Sequence, residues 1–342
     1  MKTSSFHTRA ALMMFLLTIP ALGAAQTYTL TDLGLISGAN STGARAINAT
    51  GQIAGYSGGF GFADAVLYSD GTLSNLGTLG GADAIGLAIN SSGEVAGYSQ
   101  TSNGYRGFHD LNGVMNTIEP LAESYSDAEG INDAGQVVGA SSTANGETHP
   151  YLFSNGTMTD LGTLGGHGTQ LWNSAEAINK NGQVAGYAWT SQTLHAFLWT
   201  NGHMKDLGSL PGNYSQAFAL NDKGQVTGWS YTGRGFQEYV DAFLWSNGKM
   251  TDLGTIKGQA SMGLGINNSG VVVGQSTHNA STLDYHAFVY TNGKMQDLNT
   301  LISGGTGGFT LMTAYGINDA GQIVGYMINS KGDEHGFLLT PK

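Results

Sequence analysis

The sequence predicts an all-β fold, a seven-bladed β-propeller of four-stranded antiparallel blades, and three observations carry that prediction. A ten-residue block recurs seven times, as in Gly130-Ile131-Asn132-Asp133-Ala134-Gly135-Gln136-Val137-Val138-Gly139, with its asparagine at 48, 90, 132, 179, 221, 267 and 318. Steps of 42 to 51 residues are the period of a repeat architecture. A second block pairs two alternating stretches across a turn dipeptide, as in Ala196-Phe197-Leu198-Trp199-Thr200-Asn201-Gly202-His203-Met204-Lys205-Asp206-Leu207-Gly208. The two ends of the chain also carry complementary fragments of this second block, which points to a ring.

Residues 1–25 stand apart from the repeats. Lys2 and Arg9 precede an apolar run from Ala10 to Leu22 and the small residues Gly23-Ala24-Ala25, the pattern of a cleaved secretory signal peptide. The run is too short for a membrane span, so no span is expected after cleavage. The expected location is therefore secreted, periplasmic or extracellular. Residues 26–342 read as one domain, because the repeats leave no room for another.

Tyr28-Thr29-Leu30-Thr31-Asp32-Leu33-Gly34 is an orphan copy of the Asp-Leu-Gly strand. Each repeat then opens with a hairpin whose first strand ends in Ile-Asn or Leu-Asn and whose second ends in Gly. The next hairpin turns at Asn155-Gly156, Asn201-Gly202, Asn247-Gly248 or Asn292-Gly293 in the clearest copies, dipeptides that suit the positive φ angles of a type I′ turn. The last repeat stops at Gly336-Phe337-Leu338-Leu339-Thr340, without its Asp-Leu-Gly strand. Residues 28–34 would supply it, leaving no unpaired edge. That closure places the Ile-Asn strand innermost and Asp-Leu-Gly outermost in every blade. The tight turns then fall on one face, and the variable connections 163–174, 229–240, 275–285 and 299–313 on the other, where loops on a rigid scaffold would carry a site.

Composition narrows the partners. Without Lys2 and Arg9 the chain has 11 Lys plus Arg against 24 Asp plus Glu, a balance of −13 that disfavours nucleic acid and anionic lipid. Cysteine is absent, so an exported domain must rely on its core and on closure. Neither a cofactor nor a bound metal is expected, and the chain reads as a monomer.

His195-Ala196-Phe197-Leu198-Trp199 with Asp206-Leu207-Gly208, His286-Ala287-Phe288, and Asp160-Leu161-Gly162-Thr163-Leu164-Gly165-Gly166 resemble the HAF family of extracellular repeat proteins. The resemblance covers nearly all of residues 26–342. It implies bacterial export and repeated β-structure, and brings no catalytic residue with it.

The residue opening the His-Ala-Phe strand is Asp64, Arg106, His149, His195, Asp241, His286 and His335 in turn. Four histidines in four separate blades cannot converge on one ion, whose ligands must lie within about 2.0–2.3 Å of it. Instead, a two-residue turn at Asn201-Gly202 sets Phe197 opposite Asp206 and makes His195 the diagonal neighbour of Asp206. The same register pairs His149 with Asp160, His286 with Asp297 and, across the closure, His335 with Asp32.

Positions that break the repeat are the better functional candidates. Two residues before the Ile or Leu of the innermost strand stand Arg45, Leu87, Glu129, Glu176, Phe218, Leu264 and Tyr315. Glu129, Glu176 and Arg45 at one channel mouth would suit acid–base chemistry on a sugar. Glu119, Glu123, Asp127, His167, Trp172, Tyr231, Arg234, Phe236 and Tyr239 supply polar and aromatic groups nearby. Gly55-Tyr56-Ser57-Gly58-Gly59 spells a nucleophile elbow but lacks the helix that motif requires. Gly58-Gly59-Phe60-Gly61 is a single imperfect copy of a calcium-binding nonapeptide. The expected function is a non-enzymatic binding module for extracellular carbohydrate or protein, using the variable-loop face. The alternatives are a polysaccharide hydrolase or lyase with a Glu129/Glu176 acid–base pair, and a structural spacer without a site.

Overall fold

A computed structural model describes residues 26–59, 62–122, 124–169, 171–234, 239–279 and 284–342. The expected signal segment, residues 1–25, lies outside the described residues. Those described form 28 strands, with one short 3-10 helix at Leu298–Thr300.

The strands group in fours, each set an antiparallel meander in chain order. Ser174–Ile178, Val184–Trp189, Leu194–Thr200 and His203–Asp206 make one such sheet, and four others have the same order. An eight-stranded sheet holds the two remaining sets, whose strands meet at the parallel pair Ser41 and Glu334. One of these sets is Ser41–Ile47, Ile53–Gly59, Phe62–Ser69 and Thr72–Gly77. The other takes Phe309–Ile317, Ile323–Asn329 and Glu334–Pro341 from the end of the chain and Tyr28–Asp32 from the beginning. Tyr28 pairs with Pro341 and Asp32 with Phe337, so the N-terminal strand covers the edge that Glu334–Pro341 would otherwise expose.

Turn chemistry explains the local folding. Both residues have positive φ at Asp70-Gly71, Asn112-Gly113, Asn155-Gly156, Asn201-Gly202, Asn247-Gly248 and Asn292-Gly293, as a type I′ hairpin requires. In the other turn the repeat asparagine is bound on both sides. Asn132 Oδ1 accepts the amides of Ala134 and Gln136, while its Nδ2 donates to Gln136 Oε1 and to the carbonyl of Asn179 in the next set.

That last bond recurs around the molecule. Asn48 donates to the carbonyl of Asn90, Asn90 to Asn132, Asn132 to Asn179, Asn179 to Asn221, Asn221 to Asn267, Asn267 to Asn318, and Asn318 back to Asn48, at 2.9–3.3 Å. All seven asparagines are buried.

Apolar clusters lie between successive sheets. Ala185, Ala196, Leu198 and Leu207 of one set pack against Ala217, Val226, Phe243 and Trp245 of the next. Leu33, Ala44, Ile53 and Val324 join the last set to the first. Phe108, Tyr151, Phe197, Phe243, Phe288 and Phe337, at the aromatic position of the His-Ala-Phe strand, are fully buried. Full burial of such a side chain contributes about 1.5–3 kcal/mol.

Candidate functional site

The innermost strands are not regular. Their pairing with the second strand shifts register at Ala44/Ala46, Gly86/Ala88, Ala175/Ala177, Ala217/Ala219, Gly263/Gly265 and Ala314/Gly316. The skipped residues are Arg45, Leu87, Glu176, Phe218, Leu264 and Tyr315, so the positions that break the sequence repeat are β-bulges, which leave a residue unpaired and re-aim its side chain. The glycine closing each block accommodates them. A Cβ at Gly186 would fall on the carbonyl oxygen of Ser174, and one at Gly228 on that of Gln216.

In the third set the inner strand shrinks to Gly130–Ile131. Asp127 Oδ1 there takes the amide of Ala140 at 2.6 Å, and Glu129 stays attached through its amide to Val138. Asp127 Oδ2 accepts the hydroxyl of Tyr125 at 2.6 Å, and the Asp127 carbonyl accepts that of Tyr151 at 2.5 Å.

Asp127 acts on both Glu129 and Glu176, and Glu176 acts on Glu129. Burial pushes Glu176 up to about 8, with Asp127 adding to the rise. Burial also pushes Glu129 well above the ordinary carboxylate range, helped by Glu176 and Asp127 and opposed by Arg45. Asp127 reaches about 6 through burial, held back by the Tyr125 hydroxyl and the Ala140 amide. Burial thus holds all three carboxyls toward their neutral form. A neutral carboxyl both donates and accepts hydrogen bonds. Arg45 does not pair with either glutamate directly. Its guanidinium stacks 4.2 Å from the Tyr315 ring and 5.5 Å from that of Tyr56, whose hydroxyl donates to Glu334.

Aromatic side chains gather beside the carboxyls, at the face opposite the asparagine turns. Tyr98, Tyr105 and Tyr125 wall a cavity of about 280 Å³. Tyr98 meets Tyr105 edge-on at 5.6 Å, and Tyr125 meets Trp172 at 5.1 Å. Trp172 is 45% exposed. A second aromatic group joins Trp189, Tyr214, Trp229 and Tyr231, with Tyr214 stacked on Trp229 at 5.5 Å.

A cavity of about 300 Å³ sits on the other face, lined by the Ile-Asn or Leu-Asn pair of all seven repeats. Its polar groups are already engaged. The asparagine amides complete the ring, Asp133 takes the amide of Ser91, Asp222 that of Lys180, and Asp319 that of Asn268. We read that mouth as structural.

The sequence candidates divide accordingly. Glu176, Arg45 and Tyr315 share the bulge row, Glu129 holds the matching position beside the shortened third inner strand, and Trp172 packs against Tyr125 of the tyrosine cavity. Tyr231 belongs to the second aromatic group. His167 is exposed, with Nδ1 3.9 Å from Glu147. Arg234 is committed to buried Asp241, which burial and then Asp252 raise to about 7, with Arg234 opposing the rise. Tyr239 accepts the Thr232 amide at its backbone carbonyl. Phe236 and Glu123 lie outside the described residues.

The repeat histidines all turn Nδ1 to an aspartate: His149 to Asp160 at 2.9 Å, His195 to Asp206 at 2.9 Å, His286 to Asp297 at 2.7 Å and His335 to Asp32 at 2.8 Å. Asp64, where histidine is missing, accepts from Asn75 at 2.6 Å.

Residue order alone does not mark Tyr98, Tyr105 and Tyr125 as ligand candidates. A signal for the first was present: the residue after the closing glycine is Tyr56, Tyr98, Tyr187, Trp229 or Tyr326 in five repeats.

The sequence matches no protein-family model and no curated protein. Among solved structures, the β-propeller domain of the Trilobed protease from Pyrococcus furiosus superposes with a TM-score of 0.59 at 7% identity, over 92% of this chain and 95% of that one. TolB from Acinetobacter baumannii gives a TM-score of 0.48 at 11% identity, over 85% of this chain. This chain spans 63% of the TolB chain. The fold is thus a β-propeller. Among the described residues no helix is long and apolar enough to cross a membrane.

Proposed function

We propose that this chain is an exported seven-bladed β-propeller, closed by Tyr28–Asp32 and related to the HAF repeat proteins, that binds extracellular carbohydrate on its variable-loop face. One observation carries the reading: Tyr98, Tyr105 and Tyr125 wall a cavity, and its Tyr125 both packs against Trp172 and bonds Asp127, which acts on Glu129 and Glu176. Aromatic faces suit the C–H faces of a sugar ring, and carboxyls held toward their neutral form match hydroxyls that both donate and accept. A screen of soluble glycans against the purified chain tests this. Tyr105→Ala and Trp172→Ala should each weaken a glycan hit by about tenfold or more, the loss of roughly 1.4 kcal/mol of contact. Absence of any hit, or a hit indifferent to both substitutions, overturns it.

A second reading follows from Glu176. An acid held at about 8 is matched to proton donation near neutral pH, so cleavage of a bound polysaccharide is the enzymatic alternative. Glu176→Gln and Glu129→Gln should then abolish product release while binding persists.

A further inference from the structure

The hairpin between Val272–Thr277 and Tyr285–Thr291 brings two imidazoles and a carboxyl together outside the site described above. Ser276 lies opposite His286 and Thr277 opposite Tyr285, and two residues outward from Ser276 the His278 amide donates to the Asp284 carbonyl at 3.1 Å. Side chains alternate along a strand, so His278, Asp284 and His286 share one face. One ligating atom from each lies within 4.8 Å of the other two, and among the described residues this is the group of three or more such side chains that meets so closely.

Two details point to a ligand. His286 Nδ1 is held by Asp297 Oδ2 at 2.7 Å, and donation from Nδ1 leaves a lone pair on Nε2. A carboxylate behind one ring nitrogen is the usual support for a metal on the other. His278 Nδ1 is buried and 3.3 Å from Asp284 Oδ2, yet makes no hydrogen bond among the described residues. A neutral imidazole nitrogen and a carboxylate oxygen so placed, without a hydrogen bond between them, are arranged to share a third atom.

The geometry points to a zinc site formed by His278, Asp284 and His286, with Asp297 supporting His286 from behind. Two imidazoles and one carboxylate match Zn²⁺ better than Ca²⁺ or Mg²⁺, which take oxygen ligands, and three protein ligands leave a fourth tetrahedral position for water. Tetrahedral ligands about 2.0–2.2 Å from zinc stand about 3.3 Å apart, so the group has to contract. The rings are now stacked, 3.9 Å apart and 4° from parallel. Zinc lies in the plane of an imidazole it ligates, so one ring must leave the stack. His278, just beyond the end of its strand and with a third of its side chain exposed, is the one free to swing. Bound metal would clip the two ends of this connection together on the variable-loop face. The other repeat histidines have an aspartate behind them, but among the described residues no such trio forms around His195 or His335.

Zn²⁺ titrated into the tag-free purified chain against a chromophoric chelator tests the site. One Zn²⁺ per chain is expected, with His278→Ala and Asp284→Asn each weakening binding at least about tenfold and His195→Ala leaving it unchanged. Zinc should also raise the melting temperature of the wild-type chain and not that of His278→Ala. Absence of stoichiometric binding overturns the site. So does binding that survives His278→Ala, or binding lost instead with Glu147→Gln or His167→Ala, which would place the ion beside His149. His278 is part-exposed, and an unchanged melting curve without metal shows that the His278→Ala chain folds.

Discussion

Asn318 donates its side-chain amide to the backbone carbonyl of Asn48 at 3.0 Å, across 270 residues of sequence. The same bond joins every other neighbouring pair of repeats, so the closing contact is chemically no different from the internal ones. Replacing Asn318 by Ala takes one of two donors from the Asn48 carbonyl, which keeps the Gly51 amide, and removes the acceptor that the Gln322 amide uses. A loss on the order of 3 kcal/mol is expected by chemical denaturation. Asn132→Ala should lose a similar amount. A much smaller loss for Asn318 would mean that the ring is open between the last repeat and the first.

Tyr28–Asp32 protects the edge of Glu334–Pro341. Deleting residues 26–33 removes that strand, the Asp32 partner of His335 and the buried side chain of Leu33. An exposed edge is a template for pairing with another chain. The truncated protein should melt at lower temperature and elute as oligomers in size-exclusion chromatography. A monomer with unchanged melting would contradict the closure.

His195→Ala separates scaffold from site. His195 and Asp206 bond at the sheet surface, where Asp206 is 43% exposed and can turn to water when its partner is lost. Thermal or urea unfolding should show a loss of about 0.5–1.5 kcal/mol. Glycan affinity should not change, and a loss of affinity at constant stability would give this histidine a role in binding.

Stability should fall as pH rises from about 4.3 to 8. Glu176 titrates near 8 in the folded chain, because of burial and of Asp127, and near 4.3 when unfolded. Between those values the folded state keeps a proton that the unfolded state has released, so the contribution is complete below the lower value and lost through the upper one. Glu129 and Asp127, also raised, act in the same direction. Melting temperature measured from pH 4.5 to 8.5 should decline, and Glu176→Gln should flatten the curve. A chain that gains stability across this window would show that the three carboxyls are not protonated as described.

Much of this arrangement is readable from residue order, because hairpin turns fix register. Asn201-Gly202 is a two-residue turn, so Phe197 must face Asp206, and the diagonal then brings His195 to Asp206. Bulges are less legible. The variability of Arg45, Glu176 and Tyr315 marks their positions, but their release from the ladder depends on a glycine in the neighbouring strand making room for a carbonyl. Tyr98 and Tyr105 come from one repeat and Tyr125 from the irregular connection after it, so no single period relates them. His278 and Asp284 sit in a variable connection, where spacing alone does not reveal that their hairpin continues far enough to align them with His286.

The bulge row has an evolutionary consequence. Because Arg45, Leu87, Glu176, Phe218, Leu264 and Tyr315 stand outside the ladder, exchanging them leaves strand pairing and the asparagine ring intact. Natural selection can therefore rewrite these interior letters one repeat at a time, changing charge, size or aromatic character without renegotiating the fold. A duplicated repeat arrives with a new blank position already in place, so ligand preference can drift much faster than architecture.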